Sequence, residues 1–221
     1  IHVQIPVSFF YDQIERTGHK PRKDELMAVG QVFLPRADFG AQETCRSIVE
    51  TEVLRMGYYI YGWRHVPVKT DCLGEKANAT RPEIEQILIS NSKGVDQDTF
   101  ERELYVIRRR IEKSASQAGV SQLYLASLSC RSIIYKGMML AEQVAVFYPD
   151  LCDERFTSTF AIYHQRYSTN TFPQWWLAQP FRMLAHNGEI NTLKGNVNWM
   201  KSHEIRLASS ALVKWQMISN Q

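Results

Sequence analysis

Two short stretches in the last third of the sequence hold dense groups of polar side chains. The first covers 164–171 and reads HQRYSTNT, and the second covers 185–191 and reads AHNGEIN. Each follows a segment whose apolar residues predict a strand, and loops at strand ends are where side chains and free backbone N–H groups converge on a ligand. These two loops are therefore the candidate functional segments.

Three residues of these loops carry groups suited to binding a small acidic molecule. The guanidinium of Arg166 can bind a carboxylate through two parallel hydrogen bonds. The side-chain amide of Asn187 and the backbone N–H of Gly188 are adjacent donors that could stabilise a developing oxyanion. Asn-Gly is also the commonest pair in type I′ hairpin turns, so the residues alone support a plain turn at 187–188 equally well.

Other motifs that mark a metal or nucleotide site are missing from the sequence. Neither GxGxxG nor GxxxxGK occurs, and the histidines and cysteines never cluster at metal-ligand spacing. Cys45 and Cys130 fall in segments that predict core elements, while Cys72 and Cys152 have no obvious base partner. We therefore expect inert, reduced thiols and no metal.

Charge and hydropathy argue against nucleic-acid and membrane partners. The 26 Lys and Arg residues against 23 Asp and Glu leave a net charge of only +3. The arginine run at 108–110 lies in a predicted helix among glutamates that can pair with it, which favours a solvated helix face. Those glutamates are Glu101, Glu103 and Glu112. Since no signal peptide or membrane-length apolar run is evident, the sequence predicts a cytoplasmic protein.

Hydrophobic patterning predicts strands and helices in mixed order along the chain. Predicted helices lie at 9–14, 41–56, 98–117 and 191–210, the third opening with a capping box at 98–101. Predicted strands lie at 1–5, 58–63, 156–163 and 181–185. Between them, 69–81 has the composition of a surface connection and 172–180 that of a stiff aromatic loop.

Three segments stay open at the level of the sequence. The segment 82–90 fits a helix or a buried strand equally well. The β-prone runs on either side of Arg131 are either paired strands or one bulged strand. The segment 139–148 could pack as a helix.

The run from Phe160 to Trp199 closely resembles the glutamine amidotransferase domain of glutamate synthases. The matching letters are FAIYHQRYSTNT from Phe160, then Pro173 and Trp175, then AHNGEINT from Ala185. Weaker similarity upstream extends over nearly the whole chain. The resemblance implies an α+β fold, a four-layer αββα sandwich of the Ntn-hydrolase type, with 1–221 forming one partial glutaminase domain.

In that family an N-terminal cysteine thiolate attacks the side-chain amide of L-glutamine, and the chain's own α-amino group is the base. Ammonia leaves, and glutamate is released from a thioester. Because this sequence begins at Ile1, we expect an internal fragment that lacks the nucleophile and is inactive alone. The acidic residue that binds the substrate's α-amino group is expected beyond Gln221.

The resemblance also assigns roles to the residues of the two loops. Asn187 and Gly188 correspond to the oxyanion hole, and Arg166 corresponds to the residue that binds the substrate's α-carboxylate. The remaining residues, which line or support the substrate site, are Tyr167, Thr169 and His186.

For the complete enzyme, the resemblance implies that ammonia passes to 2-oxoglutarate on a separate domain with FMN and an iron-sulfur cluster. Electrons would come from an NAD(P)H-linked subunit or from ferredoxin, and the location would be the cytoplasm, or a plastid in a photosynthetic eukaryote. This chain is expected to bind none of those cofactors. Two alternatives remain open: a different class II amidotransferase, and a non-catalytic interaction module with the same fold.

Overall fold

The chain divides into two compact units, Ile1–Ala185 and His186–Gln221. The computed structural model describes residues 1–167, 172–182, 184–188, 192–204 and 206. The strands are β1 (His2–Gln4), β2 (Met27–Leu34), β3 (Tyr59–His65), β4 (Glu83–Ser90), β5 (Tyr124–Ser129), β6 (Ser132–Ile134) and β7 (Ala161–Ile162). The α-helices are α1 (Val7–Arg16), α2 (Phe39–Arg55), α3 (Glu75–Ala79), α4 (Gln97–Gln117), α5 (Val144–Phe147) and α6 (Leu193–Glu204). Short 3₁₀-helices occupy Thr70–Cys72, Ala141–Gln143, Pro149–Cys152 and Trp175–Leu177.

The larger sheet of Ile1–Ala185 is antiparallel, with the strand order β3-β4-β2-β5. β4 lies inside this sheet and pairs with β2 along its whole length, from Met27 opposite Ser90 to Leu34 opposite Glu83. The segment 82–90 is therefore a strand. Nearly all residues of β4 are buried, which removes the alternation that identifies a half-buried strand in a sequence.

The smaller sheet is also antiparallel and has the strand order β6-β1-β7. β5 and β6 follow one another in the chain but belong to different sheets, so both sequence-based alternatives for this region were wrong. At the junction, the Ser129 hydroxyl accepts hydrogen bonds from the backbone N–H groups of Arg131 (3.0 Å) and Ser132 (3.2 Å). Those bonds turn the chain from one sheet to the other, and residues of both sheets share one apolar core with α1.

Helices α2 and α4 pack against each other, and they contact β3 and β5 of the larger sheet. Asp38 caps α2 by accepting a hydrogen bond from the Ala41 N–H at 2.9 Å, and Asp96 caps α4 through the Thr99 N–H at 3.0 Å. The capping box predicted at 98–101 was wrong, since the N-cap lies two residues earlier. The Glu101 carboxylate instead accepts hydrogen bonds from Ser129.

These elements confirm the predicted α+β class, with two antiparallel sheets and packed helices consistent with an Ntn-hydrolase-like sandwich. The predicted strands at 1–5 and 58–63 and the helices at 9–14 and 41–56 are confirmed within a few residues by β1, β3, α1 and α2. No helix in the described part of the chain combines the length and the apolar character that crossing a membrane requires.

Several elements have other boundaries than the sequence predicted. The surface connection at 69–81 contains α3, only β7 forms within 156–163, and α5 is short. The described residues of 181–185 contain an isolated bridge between Phe181 and Leu184 rather than a strand. α6 is shorter than predicted, and 205 and 207–210 lie outside the described residues.

The arginine run on α4 is less solvated than the sequence predicted. Arg108 is mostly buried and donates to Glu112 at 3.0 Å, and the exposed Arg109 pairs with the same carboxylate. Glu101 and Glu103 face other partners, so only Glu112 of the three predicted glutamates neutralises the run.

Candidate functional site

The first candidate loop leaves the edge strand β7, as expected for a loop at a strand end. β7 pairs with β1, with Ile162 opposite His2. The backbone N–H of Arg166 donates a hydrogen bond to Nδ1 of His164 at 3.2 Å. The Arg166 side chain is exposed, and no carboxylate of the described residues forms an ion pair with it. An exposed guanidinium that no carboxylate of the described residues neutralises is suited to an external carboxylate.

Tyr167 ties this loop to the aromatic segment that follows it. Its hydroxyl donates a hydrogen bond to the backbone carbonyl of Gln174. Burial, with a smaller contribution from Tyr124, raises the pKa of the Tyr167 phenol above its ordinary value, so the hydroxyl stays protonated as a donor. Thr169, the other predicted lining residue of this loop, lies outside the described residues.

Trp175 fixes the aromatic segment 172–182 in the core of Ile1–Ala185. The indole is buried, and its Nε1 donates to the backbone carbonyl of Ala77 at 3.0 Å. Gly137 makes room for it, because a Cβ at this position would lie 2.3 Å from Cζ3 of Trp175. A cis peptide bond between Gln179 and Pro180 follows. The prediction of a stiff aromatic segment agrees with this packing, although the centre of the segment is the 3₁₀-helix Trp175–Leu177.

A buried lysine that the sequence analysis missed also holds this segment. Lys136 is 4% exposed, and its Nζ donates to the Tyr124 hydroxyl (2.8 Å) and to the backbone carbonyls of Trp176 (2.9 Å) and Ala178 (2.8 Å). Burial lowers the pKa of this ammonium to about 7, and the positive charge of Arg108 contributes. A lone lysine after the apolar run 133–135 was the available signal in the sequence.

The second candidate loop opens the unit His186–Gln221. Neither Asn187 nor Gly188 has a positive φ, whereas both central residues of a type I′ turn require one. A type I′ turn at Asn187-Gly188 is therefore excluded. A Cβ at Gly188 would lie 3.3 Å from Nδ1 of His186, so glycine admits the imidazole close to its backbone.

The cysteines are all free, as the sequence predicted. Cys45 is buried, which raises the pKa of its thiol to about 11. Burial and the hydrogen bond to Glu101, at 3.1 Å from Sγ, raise the pKa of Cys130 further. Both thiols are therefore protonated at neutral pH and are poor nucleophiles.

Metal and cluster ligation can be tested over the described ranges. Within them, no three His, Cys, Asp or Glu side chains lie close enough to hold a metal ion. Cysteines this far apart in sequence do not fit an iron-sulfur cluster either.

Comparison with known families covers almost the whole sequence. The family model described as glutamine amidotransferases class-II matches residues 1–219. The chain belongs to this family. Membership confirms the family resemblance of the two loops, whereas the individual roles of Arg166, Tyr167, Thr169, His186, Asn187 and Gly188 stay predictions.

Three similar proteins in this family are all named glutamate synthase. The chain is 66% identical, over 96% of its length, to the glutamate synthase [NADPH] large chain of Azospirillum brasilense. It is 46% identical over 93% of its length to the chloroplastic ferredoxin-dependent glutamate synthase of Spinacia oleracea. The glutamate synthase [NADPH] large chain of Bacillus subtilis is 42% identical over 95% of the chain. The chain spans only 13–14% of the length of these relatives.

Proposed function

We propose that this chain is part of a glutamate synthase and supplies a section of its glutaminase domain. The observation that carries the proposal is the 66% identity over 96% of the chain to a glutamate synthase large chain. L-Glutamine would be hydrolysed to glutamate and ammonia, and the ammonia would serve the reductive synthesis of a second glutamate from 2-oxoglutarate. The location would be the cytoplasm, or a plastid in a photosynthetic eukaryote, where the name of the Spinacia oleracea relative places that protein.

The proposed chemistry begins with the N-terminal cysteine of the complete glutaminase domain. Its thiolate would attack the side-chain amide carbon of glutamine, and the carbonyl oxygen would take up negative charge. Asn187 and the N–H of Gly188 would donate to that oxygen, because a fixed donor pair stabilises the tetrahedral intermediate more than the substrate. The nitrogen would leave as ammonia with the proton taken from the thiol, and water would release glutamate from the thioester.

Arg166 would bind the α-carboxylate of glutamine and so select an amino acid over a simple amide. The exposed guanidinium without a carboxylate partner among the described residues supports this role. Tyr167 and Thr169 would line the same end of the substrate, and His186 would support the backbone of Gly188, next to which its Nδ1 lies.

FMN and an iron-sulfur cluster would belong to other domains and would supply the electrons for reduction of 2-oxoglutarate. The described residues of this chain do not fit a cluster, and no step assigned to them uses either group. The partner that delivers the electrons would be an NAD(P)H-linked subunit or ferredoxin, as the names of the relatives indicate for those proteins.

The test compares two polypeptides for ammonia release from L-glutamine: this chain, and the same chain continued at both ends to the length of its relatives with its cysteine exposed. We expect activity only in the longer polypeptide. With 2-oxoglutarate and a suitable electron donor, it should form two glutamates for each glutamine consumed. Ammonia release without that stoichiometry would indicate a different class II amidotransferase. If neither polypeptide releases ammonia, the non-catalytic module is favoured.

Single substitutions in the longer polypeptide test the assigned roles. Arg166→Gln should raise the KM for glutamine by about tenfold to a hundredfold, as expected for losing a charged hydrogen-bonding partner. Asn187→Ala should lower kcat by about a hundredfold or more with little change in KM. Arg155→Gln is the matched control, since Arg155 is partly exposed but already pairs with Asp153. An equal effect of Arg155→Gln and Arg166→Gln would contradict the role of Arg166.

A further inference from the structure

Lys136 meets three acceptors with its three N–H donors, and none of them is a carboxylate. They are the Tyr124 hydroxyl and the backbone carbonyls of Trp176 and Ala178, all within 2.9 Å of Nζ. The rings of Tyr124 and Phe181 also face Nζ, with centroids at 4.7 and 4.6 Å. Burying an ammonium away from every carboxylate of the described residues is unfavourable for folding, and here that cost accompanies the binding of two backbone carbonyls.

The two carbonyls belong to the same short segment that receives Tyr167. Within that segment, the Leu177 N–H donates to the Gln174 carbonyl at 3.0 Å, and the Tyr167 hydroxyl donates to the same oxygen. A continuous set of hydrogen bonds therefore joins Lys136 to Tyr167 through the 3₁₀-helix Trp175–Leu177.

Arg166 precedes Tyr167 in the chain, and its exposed side chain depends on the backbone for its position. The Tyr167 hydroxyl connects this loop to Gln174, and inside the loop the Arg166 N–H donates to His164 at 3.2 Å. A shift of Gln174 would therefore be passed through Tyr167 to the base of the neighbouring Arg166 side chain. A displacement of about 1 Å in a substrate-binding group can cost a hundredfold in rate or affinity.

We propose that Lys136 is a positioning residue for substrate binding: it holds the segment 174–178, and through Tyr167 it sets the place of Arg166. This inference rests on the proposed function, because it takes Arg166 as the group that binds the α-carboxylate of glutamine. Trp175 anchors the same segment independently through Ala77, so loss of the lysine loosens the segment without removing its anchor in the core.

The experiment uses the full-length protein and the substitution Lys136→Met, which keeps the length of the side chain and removes its donors. We expect the KM for L-glutamine to rise by about tenfold with a much smaller change in kcat. Lys93→Met is the matched control, since Lys93 also lies over a tyrosine ring and pairs with buried Glu103, but it contacts no part of the segment 174–178. Lys136→Arg keeps a cationic donor, so its KM for L-glutamine should lie between those of wild type and Lys136→Met.

Two further measurements separate positioning from a purely structural role. Lys136→Met combined with Arg166→Gln should have no higher KM than Arg166→Gln alone, because the lysine acts through the arginine. On 4-aminobutanamide, which is glutamine without its α-carboxylate, wild type and Lys136→Met should react at equal rates. KM effects that multiply in the double variant, or an equal loss on both substrates, would overturn the proposal.

The outcomes also distinguish this inference from the proposed function. Wild-type protein that releases no ammonia from glutamine would refute the function itself. Active wild type with an unchanged KM in Lys136→Met would refute only the positioning role. If Lys136→Met does not fold, Tyr167→Phe removes the hydrogen bond at the other end of the same connection. This variant should also raise the KM for L-glutamine. An unchanged KM in Tyr167→Phe would overturn the proposal.

Discussion

Two of the buried cationic groups in Ile1–Ala185, Arg64 and Lys136, have opposite kinds of partner. Arg64 on β3 forms a bidentate pair with Asp150, at 2.6 and 2.7 Å, and also donates to Gln13 and Gln86 at 2.8 Å each. Lys136 has no carboxylate partner in the described part of the chain, and its donors bond to a phenol and two backbone carbonyls. The arginine thus joins elements of the scaffold, whereas the lysine holds the backbone of one segment.

Arg64 and Lys136 differ in the direction in which the fold shifts their pKa values. Burial alone would lower the pKa of Arg64, but the hydrogen bonds and the charge of Asp150 raise it above its usual value. Lys136 has no such compensation, and its pKa is about 7. A buried cation with a counter-ion is therefore a permanent cross-link, and one without a counter-ion makes stability sensitive to pH.

The largest effect that would test this comparison is expected from Asp150→Ala. Removing the carboxylate leaves the Arg64 charge buried without compensation and also deprives Tyr135 of its acceptor at 2.9 Å. We expect a loss of about 3–5 kcal/mol in the free energy of unfolding, measured by urea denaturation. The control is Asp153→Ala, which removes one of the two carboxylate partners of Arg155 at the surface and should have a far smaller effect. Similar losses in the two variants would contradict the scaffold role of the Arg64 pair.

Gly137→Ala tests how tightly the region beside Lys136 is packed. The added Cβ would lie 2.3 Å from Cζ3 and 2.6 Å from Cε3 of Trp175, so the indole has to move. We expect a loss of about 1–3 kcal/mol in the free energy of unfolding, together with a changed tryptophan fluorescence spectrum. Gly74→Ala is the control, because a Cβ there meets nothing within 4 Å. An unchanged spectrum in Gly137→Ala would show that Trp175 is not confined by this glycine.

The pH dependence of the free energy of unfolding tests the difference between Arg64 and Lys136 directly. The pKa of Lys136 falls from 10.5 to about 7 on folding, so the unfolded chain binds more protons between these values. The Lys136 contribution to stability therefore rises with pH across this window and is flat below it, with a slope approaching 1.4 kcal/mol per pH unit. Urea denaturation at pH 7, 8 and 9 should show this slope in wild type and a smaller one in Lys136→Met. Arg108 and Tyr124, which lie near the Lys136 ammonium, are kept in both proteins.

The smallest effect is expected from Tyr124→Phe. This change leaves one donor of Lys136 without its acceptor while retaining the ring beneath Nζ. We expect a loss of about 1 kcal/mol in the free energy of unfolding at pH 6, where the lysine is charged. Tyr105→Phe, an exposed tyrosine on the same domain, should change nothing measurable. A loss at pH 9 as large as that at pH 6 would argue that the tyrosine matters for its own sake and not as a partner of the charged lysine.

Elements with one buried face were predictable from the sequence. In α4, Phe100, Leu104, Ile107 and Ile111 recur at helical spacing, and all four are buried. The strand β4 was not predictable, because it is buried on both faces and lacks the alternation that identifies a half-buried strand. The N-cap of α4 was misplaced because Asp96 and Asp98 are both acceptable capping residues, and only the backbone conformation at Asp96 decides between them.

The candidate loops were identifiable because Arg166, Asn187 and Gly188 carry chemistry that a plain loop does not need. The type I′ turn at 187–188 could not be dismissed from residue types, since it is defined by φ values. Lys136 was missed for a different reason. A single lysine beside an apolar run usually marks the solvated end of a strand. The neighbouring residues give no sign that Nζ will bond to the carbonyls of Trp176 and Ala178, some forty residues later in the chain.

The sequence by itself determined the α+β class, most helices, the two polar loops and the family resemblance. These properties rest on residue type and on spacings of a few positions, which a linear chain displays directly. Only the tertiary structure decided that β5 and β6 part into different sheets, that Arg64 meets Asp150 and that Lys136 lies beneath the segment following Arg166. Strand pairing and burial of charge join residues far apart in the chain, and their energies depend on a surrounding that exists only once the core has formed.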